Sequence, residues 1–127
     1  MKKSLRFIQI CVLILISSNT FSQWVTVSTS GKKLNAITSP LSGYVYTVGD
    51  SGYVKASTNG GSQYFERSIG LNSHLYAVQS FSGNIVYICG TDGVIVKSTN
   101  SGVNWVGMWQ TGITNTYFDM DFINSST

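Results

Sequence analysis

An all-β chain is predicted by three features of this sequence: a repeated block, short runs of β-branched and aromatic residues, and glycine at the junctions between them. Ser57-Thr58-Asn59-Gly60-Gly61 returns 41 residues later as Ser98-Thr99-Asn100-Ser101-Gly102. The same ungapped offset carries Leu34 onto Leu75, Ala36 onto Ala77, Val45 onto Val86, Tyr46 onto Tyr87, Gly49 onto Gly90, Gly52 onto Gly93 and Tyr64 onto Trp105. Register held over that span makes each unit one supersecondary block, of the kind that stacks on its neighbour to bury a face it cannot bury alone. No apolar stripe of helical period occurs to compete with this reading.

In the first unit, strands are expected at Leu34 to Thr38, Tyr44 to Val48, Tyr53 to Ser57 and Gln63 to Arg67. The second unit gives Leu75 to Ser80, Ile85 to Cys89, Val94 to Ser98 and Asn104 to Trp109. Gly49-Asp50-Ser51-Gly52 and Gly90-Thr91-Asp92-Gly93 read as tight connections, because glycine tolerates positive φ and aspartate bonds nearby backbone. Four antiparallel strands in about 40 residues is the size of one propeller blade. Trp24 to Ser28 stands where a lone fourth strand would precede the first unit, and Tyr117 to Phe122 reads as the opening strand of a third. The expected organisation is thus a partial β-propeller over residues 23–127, with blade-like repeats at 34–67 and 75–109 and the start of another at 117–122. A closed propeller needs roughly four blades or more. A truncated product of a longer propeller gene is the expectation, with self-assembly into a ring as the alternative.

Residues 1–22 read as an address. Lys2, Lys3 and Arg6 precede the apolar run Phe7 to Ile16, and Thr20 and Ser22 supply the small residues a signal peptidase reads. The run is shorter than the roughly 20 apolar residues of a permanent span, so no membrane span is expected after its removal. Cys11 follows Gln9 and Ile10 rather than small residues, and is read as ordinary filler of the signal. The whole chain carries a formal charge of +3. The part after Ser22 balances Lys32, Lys33, Lys55, Arg67 and Lys97 against Asp50, Glu66, Asp92, Asp119 and Asp121. The basic character therefore belongs to the export signal, and nucleic acid is not an expected partner. Cys89 is the one cysteine left, which excludes an intramolecular disulfide and suggests a small buried hydrophobe facing the role of Val48.

The repeated turns resemble the Asp-box, Ser-x-Asp-x-Gly-x-Thr-Trp, of bacterial neuraminidase-type repeats. Ser57, Gly61 and Tyr64 fit in the first copy and Ser98, Gly102 and Trp105 in the second, while Asn59 and Asn100 replace the Asp and Gln63 and Asn104 the Thr. An Asn oxygen still accepts backbone N–H bonds in such a turn. The order Leu34-x-Ala36-Ile37, Tyr44-Val45-Tyr46-x-Val48-Gly49, then Ser57-Thr58-Asn59-Gly60-Gly61 is similar to photosystem II assembly-factor-type propeller repeats. That resemblance implies a propeller scaffold that binds a protein or cell-surface ligand, without an activity of its own.

The chemistry of the residues agrees with a non-enzymatic expectation. A sialidase-like propeller glycosidase, the alternative function, needs clustered arginines for the substrate carboxylate together with an acid and a nucleophile. The part after residue 22 has Arg67 alone, beside Glu66, and the pair reads as a solvent-facing charged strand end. His74 reads as a loop histidine with no ligand cluster at metal spacing. Asp92, Asp119 and Asp121 read as turn and strand-edge residues rather than a calcium loop. Tyr44, Tyr46, Tyr53, Tyr76, Tyr87, Trp105 and Trp109 are expected to fill space between blades before they stack on sugars. No cofactor or metal is expected, and self-association through open blade edges is.

Overall fold

A computed structural model describes residues 31–108 and 112–123. The expected signal segment 1–22, the lone strand at Trp24 to Ser28 and the ring of Trp109 lie outside the described residues. The described chain is all-β, with eight strands and no helix. Among the described residues there is accordingly no helix long and apolar enough to cross a membrane.

The strands form two four-stranded antiparallel sheets, each a simple meander in chain order. The first holds β1 (Leu34–Thr38), β2 (Val45–Gly49), β3 (Val54–Ser57) and β4 (Phe65–Glu66). The second holds β5 (Leu75–Ser80), β6 (Val86–Gly90), β7 (Ile95–Ser98) and β8 (Val106–Gly107). Their registers match at the 41-residue offset: Val48 faces Val54 as Cys89 faces Ile95, and Tyr46 faces Ala56 as Tyr87 faces Lys97. Both sheets also carry an irregularity at the same place, between Leu34 and Ala36 and between Leu75 and Ala77. The extra residue there, Asn35 or Tyr76, is turned out of the ladder, as a bulge does.

The tight connections form because two successive residues take left-handed φ, the pattern of a type I′ turn. Ser51 and Gly52 stand at 55° and 68°, and Asp92 and Gly93 at 60° and 69°. Glycine is required at the second position, since a β-carbon on Gly52 would collide with the Leu71 carbonyl oxygen. The Gly52 N–H is used there as well, donating to the Ser73 carbonyl at 2.8 Å.

The outer strands are shorter than the sequence suggests. Gln63 and Asn104 were expected to begin them, but their N–H groups donate to the Asn59 and Asn100 side-chain oxygens, each at 2.9 Å. The turn takes the donors a strand would have used, and two residues of ladder remain in β4 and in β8. The expected strand at Tyr117 to Phe122 is likewise absent. β1 and β5 each become strands by pairing with the next strand of their own sheet, whereas no such strand follows residues 117–122 among the described residues. That segment instead crosses the second sheet, with the Tyr117 N–H donating to the Gly90 carbonyl at 3.0 Å.

Alternation along each strand sends neighbours to opposite faces, and the two sheets use opposite faces to make one core. The first contributes Tyr46, Val48, Val54 and Ala56, and the second contributes Val78, Val86, Ile88 and Val96. Leu75 closes one end of this cluster, with Ile69, Leu71 and Trp105 packed against it. The counterparts of Tyr46, Val48 and Val54 in the second sheet are Tyr87, Cys89 and Ile95, and they point away from the core. Residues 117–122 lie against that outward face.

Candidate functional site

Each repeated turn is organised by one buried serine. Ser57 Oγ accepts the Gly61 N–H at 2.9 Å and the Asn59 N–H at 3.3 Å, and donates to Asn59 Oδ1 at 3.0 Å. Ser98 Oγ repeats this with the Gly102 N–H at 2.8 Å, the Asn100 N–H at 3.2 Å and Asn100 Oδ1 at 3.0 Å. The asparagine oxygen then reaches the N–H four positions on, so a neutral amide does in both turns what a carboxylate would do. Gly60 and Gly61 at 70° and 86°, and Ser101 and Gly102 at 59° and 79°, complete the reversal. Tyr64 packs under Gly61 and Trp105 under Gly102. These eight residues, Ser57, Asn59, Gly61, Tyr64, Ser98, Asn100, Gly102 and Trp105, are thus brought together in two separate turns, and the second turn also meets the first sheet, where Gly102 lies against Arg67.

Arg67 is placed differently from the sequence reading. Glu66 is exposed, opposite Lys55 in the ladder, but Arg67 is half-buried with its Cβ and Cγ against Gly102. Its guanidinium lies 5.7 Å from the centre of the Phe65 ring. Arg67 Nε and Trp105 Nε1 are buried without hydrogen-bond partners among the described residues.

A polar rim lies where the tight turns meet the connection entering β5. Asp50 Oδ1 accepts from Asn35 Nδ2 at 2.9 Å and lies 3.2 Å from His74 Nδ1. The same Asn35 amide donates to the Leu75 carbonyl at 2.9 Å and so ties the two sheets together. The Asn35 hydrogen bond first, and His74 after it, hold the Asp50 carboxyl below the usual carboxylate range. Asp92 is lowered in the same direction by the Ser73 and Thr91 hydroxyls, at 2.8 and 2.9 Å. Asp119 and Asp121 each accept the N–H of the residue that follows them. Among the described residues, no three His, Cys, Asp or Glu side chains converge as a metal would require.

A cleft of about 300 Å³ lies between the outward face of the second sheet and residues 117–122. Tyr87, Cys89, Ile95 and Met108 line one side, and Tyr117, Asp119, Met120 and Phe122 the other. Phe122 lies on Tyr87 with ring centres 4.5 Å apart, and Phe81 meets Phe122 edge to face at 5.4 Å. Lys97 Nζ stands 5.1 Å from the centre of the Tyr87 ring. Cys89 is 2 % exposed, and its Sγ approaches the Tyr117 carbonyl at 3.6 Å. Burial, with the Asp119 carboxylate adding to it, pushes the thiol up to about 11, so the group is an apolar wall at neutral pH rather than a nucleophile.

The sequence placed Cys89 opposite Val48 but did not single out Met108 or Met120, nor the Asn35–Asp50–His74 contact. The signal for the cleft was present in the offset itself, since Tyr87, Cys89 and Ile95 match the buried Tyr46, Val48 and Val54. Comparison with protein-family models and with curated proteins gives no match to this chain.

Proposed function

We propose that the chain is an exported, non-enzymatic scaffold of propeller-type sheets that binds a protein or cell-surface ligand. The observation that carries the reading is the cleft on the second sheet. An apolar concavity with one carboxylate at its edge suits recognition of an apolar surface better than polar catalysis. Packing of one sheet's face on the opposite face of the next supports the propeller reading, because that relation repeats without changing. The likeness to photosystem II assembly-factor-type repeats points to the same kind of role.

A photo-crosslinking residue at Met108, which is 54 % exposed, tests this in an exporting host, with the exposed Val103 of the β7–β8 turn, which does not line the cleft, as control. The expected result is a discrete adduct with another polypeptide from Met108 and none from Val103. Equal labelling from both positions, or none from Met108, overturns the scaffold reading, and cleavage of a sialoside by the purified chain overturns its non-enzymatic part. Intact mass of the exported product is expected to begin at Gln23, and retention of Met1 overturns the export signal.

A further inference from the structure

The internal packing of this chain describes what belongs in its open cleft. On the first sheet, the face carrying Tyr46, Val48, Val54 and Ala56 is covered by the β5, β6 and β7 strands, through Leu75, Val78, Val86, Ile88 and Val96. On the second sheet, the matching face carries Tyr87, Cys89, Ile95 and Lys97. Its inner part is covered by residues 117–122, which bury Tyr87 and Cys89 to 4 % and 2 % exposure. Its outer part is not, among the described residues: Ile95 is half-buried where Val54 is fully buried, and Met108 is 54 % exposed where Arg67 is half-buried, whereas Val106 is exposed as its counterpart Phe65 is. Residues 117–122 therefore stand where β5 stands on the first sheet, and no described residue takes the ground that β6 and β7 occupy there. The Met120 and Phe122 N–H groups are taken by the carboxylates of the residues before them, Asp119 and Asp121, at 2.8 Å each, rather than by a neighbouring strand.

Resting on the scaffold reading, we infer that this open ground seats an antiparallel β-hairpin supplied by a partner protein, lying alongside residues 117–122 and over Ile95 and Met108. The internal interface fixes its chemistry. The inward side of the hairpin carries alternating valine or isoleucine, as Val86, Ile88 and Val96 do in β6 and β7. One position differs, because Lys97 stands where the first sheet has Ala56. The partner therefore places a carboxylate opposite that ammonium, where the internal hairpin has an apolar side chain. Apolar alternation supplies the affinity and the charge pair selects the register.

The probe is a cyclised peptide copying residues 84–100 of this chain, the β6–β7 hairpin, with its hairpin form checked by circular dichroism, added to the full chain. A second peptide carries Val96→Glu. The expected result is saturable binding of the first peptide at micromolar concentration, weakened at least tenfold by Met108→Lys or Ile95→Lys in the chain. Hydrogen exchange at residues 117–122 is expected to slow on binding. The Val96→Glu peptide is expected to bind several-fold tighter, and Lys97→Ala in the chain to abolish that gain. Absence of binding at millimolar peptide, or binding indifferent to Met108→Lys and Ile95→Lys, overturns the inference. A crosslinked partner at Met108 together with failure of both peptides leaves the scaffold standing and removes the hairpin seat. Peptide binding without any crosslinked partner does the reverse.

Discussion

The Trp105 ring lies directly beneath Gly102, with its Cζ2 3.1 Å from the point a β-carbon on that glycine would occupy. Gly102 also stands at φ 79°, so two independent costs meet at one residue. Gly102→Ala should destabilise the chain by about 1–3 kcal/mol through the left-handed backbone, with ring displacement adding to it. Trp105 is half-buried, which puts Trp105→Ala toward the lower end of the ~3–5 kcal/mol range of aromatic truncations. Trp105→Phe should cost less than alanine, since it keeps a ring and removes an unpaired buried N–H. Urea unfolding of the three variants checks the order, and equal midpoints for wild type and Gly102→Ala would count against it.

Ser57 and Ser98 are each almost wholly buried and each takes two backbone N–H groups. Removing either hydroxyl leaves those donors unsatisfied, at about 1–3 kcal/mol. Ser57→Ala and Ser98→Ala should therefore lower stability by similar amounts. Thr58→Ala, at an exposed position of the same turn, should lie within about 0.5 kcal/mol of wild type. Thermal melts of the three variants decide whether the serine oxygen or the turn sequence in general holds the reversal.

Acid should weaken the rim before it touches the core. Asp50 and Asp92 are both lowered in the folded chain, so the unfolded chain binds more protons in the range between the two values. Their contribution is present above the unfolded carboxylate value of about 3.9 and is lost as pH falls through the folded one. Melting temperature should fall from about pH 5 downward, less steeply in Asp50→Asn and Asp92→Asn, and the difference should shrink in high salt because both groups are exposed to solvent. Parallel pH profiles for wild type and the double variant would refute the assignment.

Cys89 should resist thiol reagents in the folded chain. Raising the thiol from 9.0 to about 11 reduces the thiolate at neutral pH by about a hundredfold, and burial reduces access further. Labelling should be slow natively and ordinary in guanidinium. Cys89→Val adds one γ-methyl and should still be tolerated at under about 1.5 kcal/mol, because Val48 holds the matching position in the first sheet. Rapid native labelling, measured by mass, would show an accessible thiol instead.

Strands with a full ladder partner were legible from residue pattern alone. Leu34–Thr38 and Leu75–Ser80 run over the residues that the alternation marked. What escaped the pattern depends on partners far away in the chain. Gln63 and Asn104 look like strand residues until their N–H groups are seen on asparagine oxygens. Tyr117 to Phe122 has the aromatic and alternating character of a strand, but a strand exists only beside another. Arg67 beside Glu66 reads as a solvated charge pair, and only the turn at Gly102, contributed by the other sheet, covers its stem. His74 and Asp50 are separated by two strands, β3 and β4, and the β4–β5 connection, so no local spacing announces their contact. The repeated serine turns were visible because each is closed within a few residues.

Opposite-face packing also bears on how a chain of this kind changes length. Because the second sheet presents outward the face that matches the one the first sheet packs against it, an in-frame tandem duplication of 41 codons gives the added sheet a face like the one already in use. The buried positions Tyr46, Val48 and Val54, and Tyr87, Cys89 and Ile95 after them, need no matched substitution to receive it. An insertion of a fraction of a unit within a sheet puts glycine out of step with the left-handed turns at Gly52 and Gly93, and polar residues where the next sheet expects valine. Growth by whole units is therefore close to neutral at the seam, and growth by fractions of a unit is not.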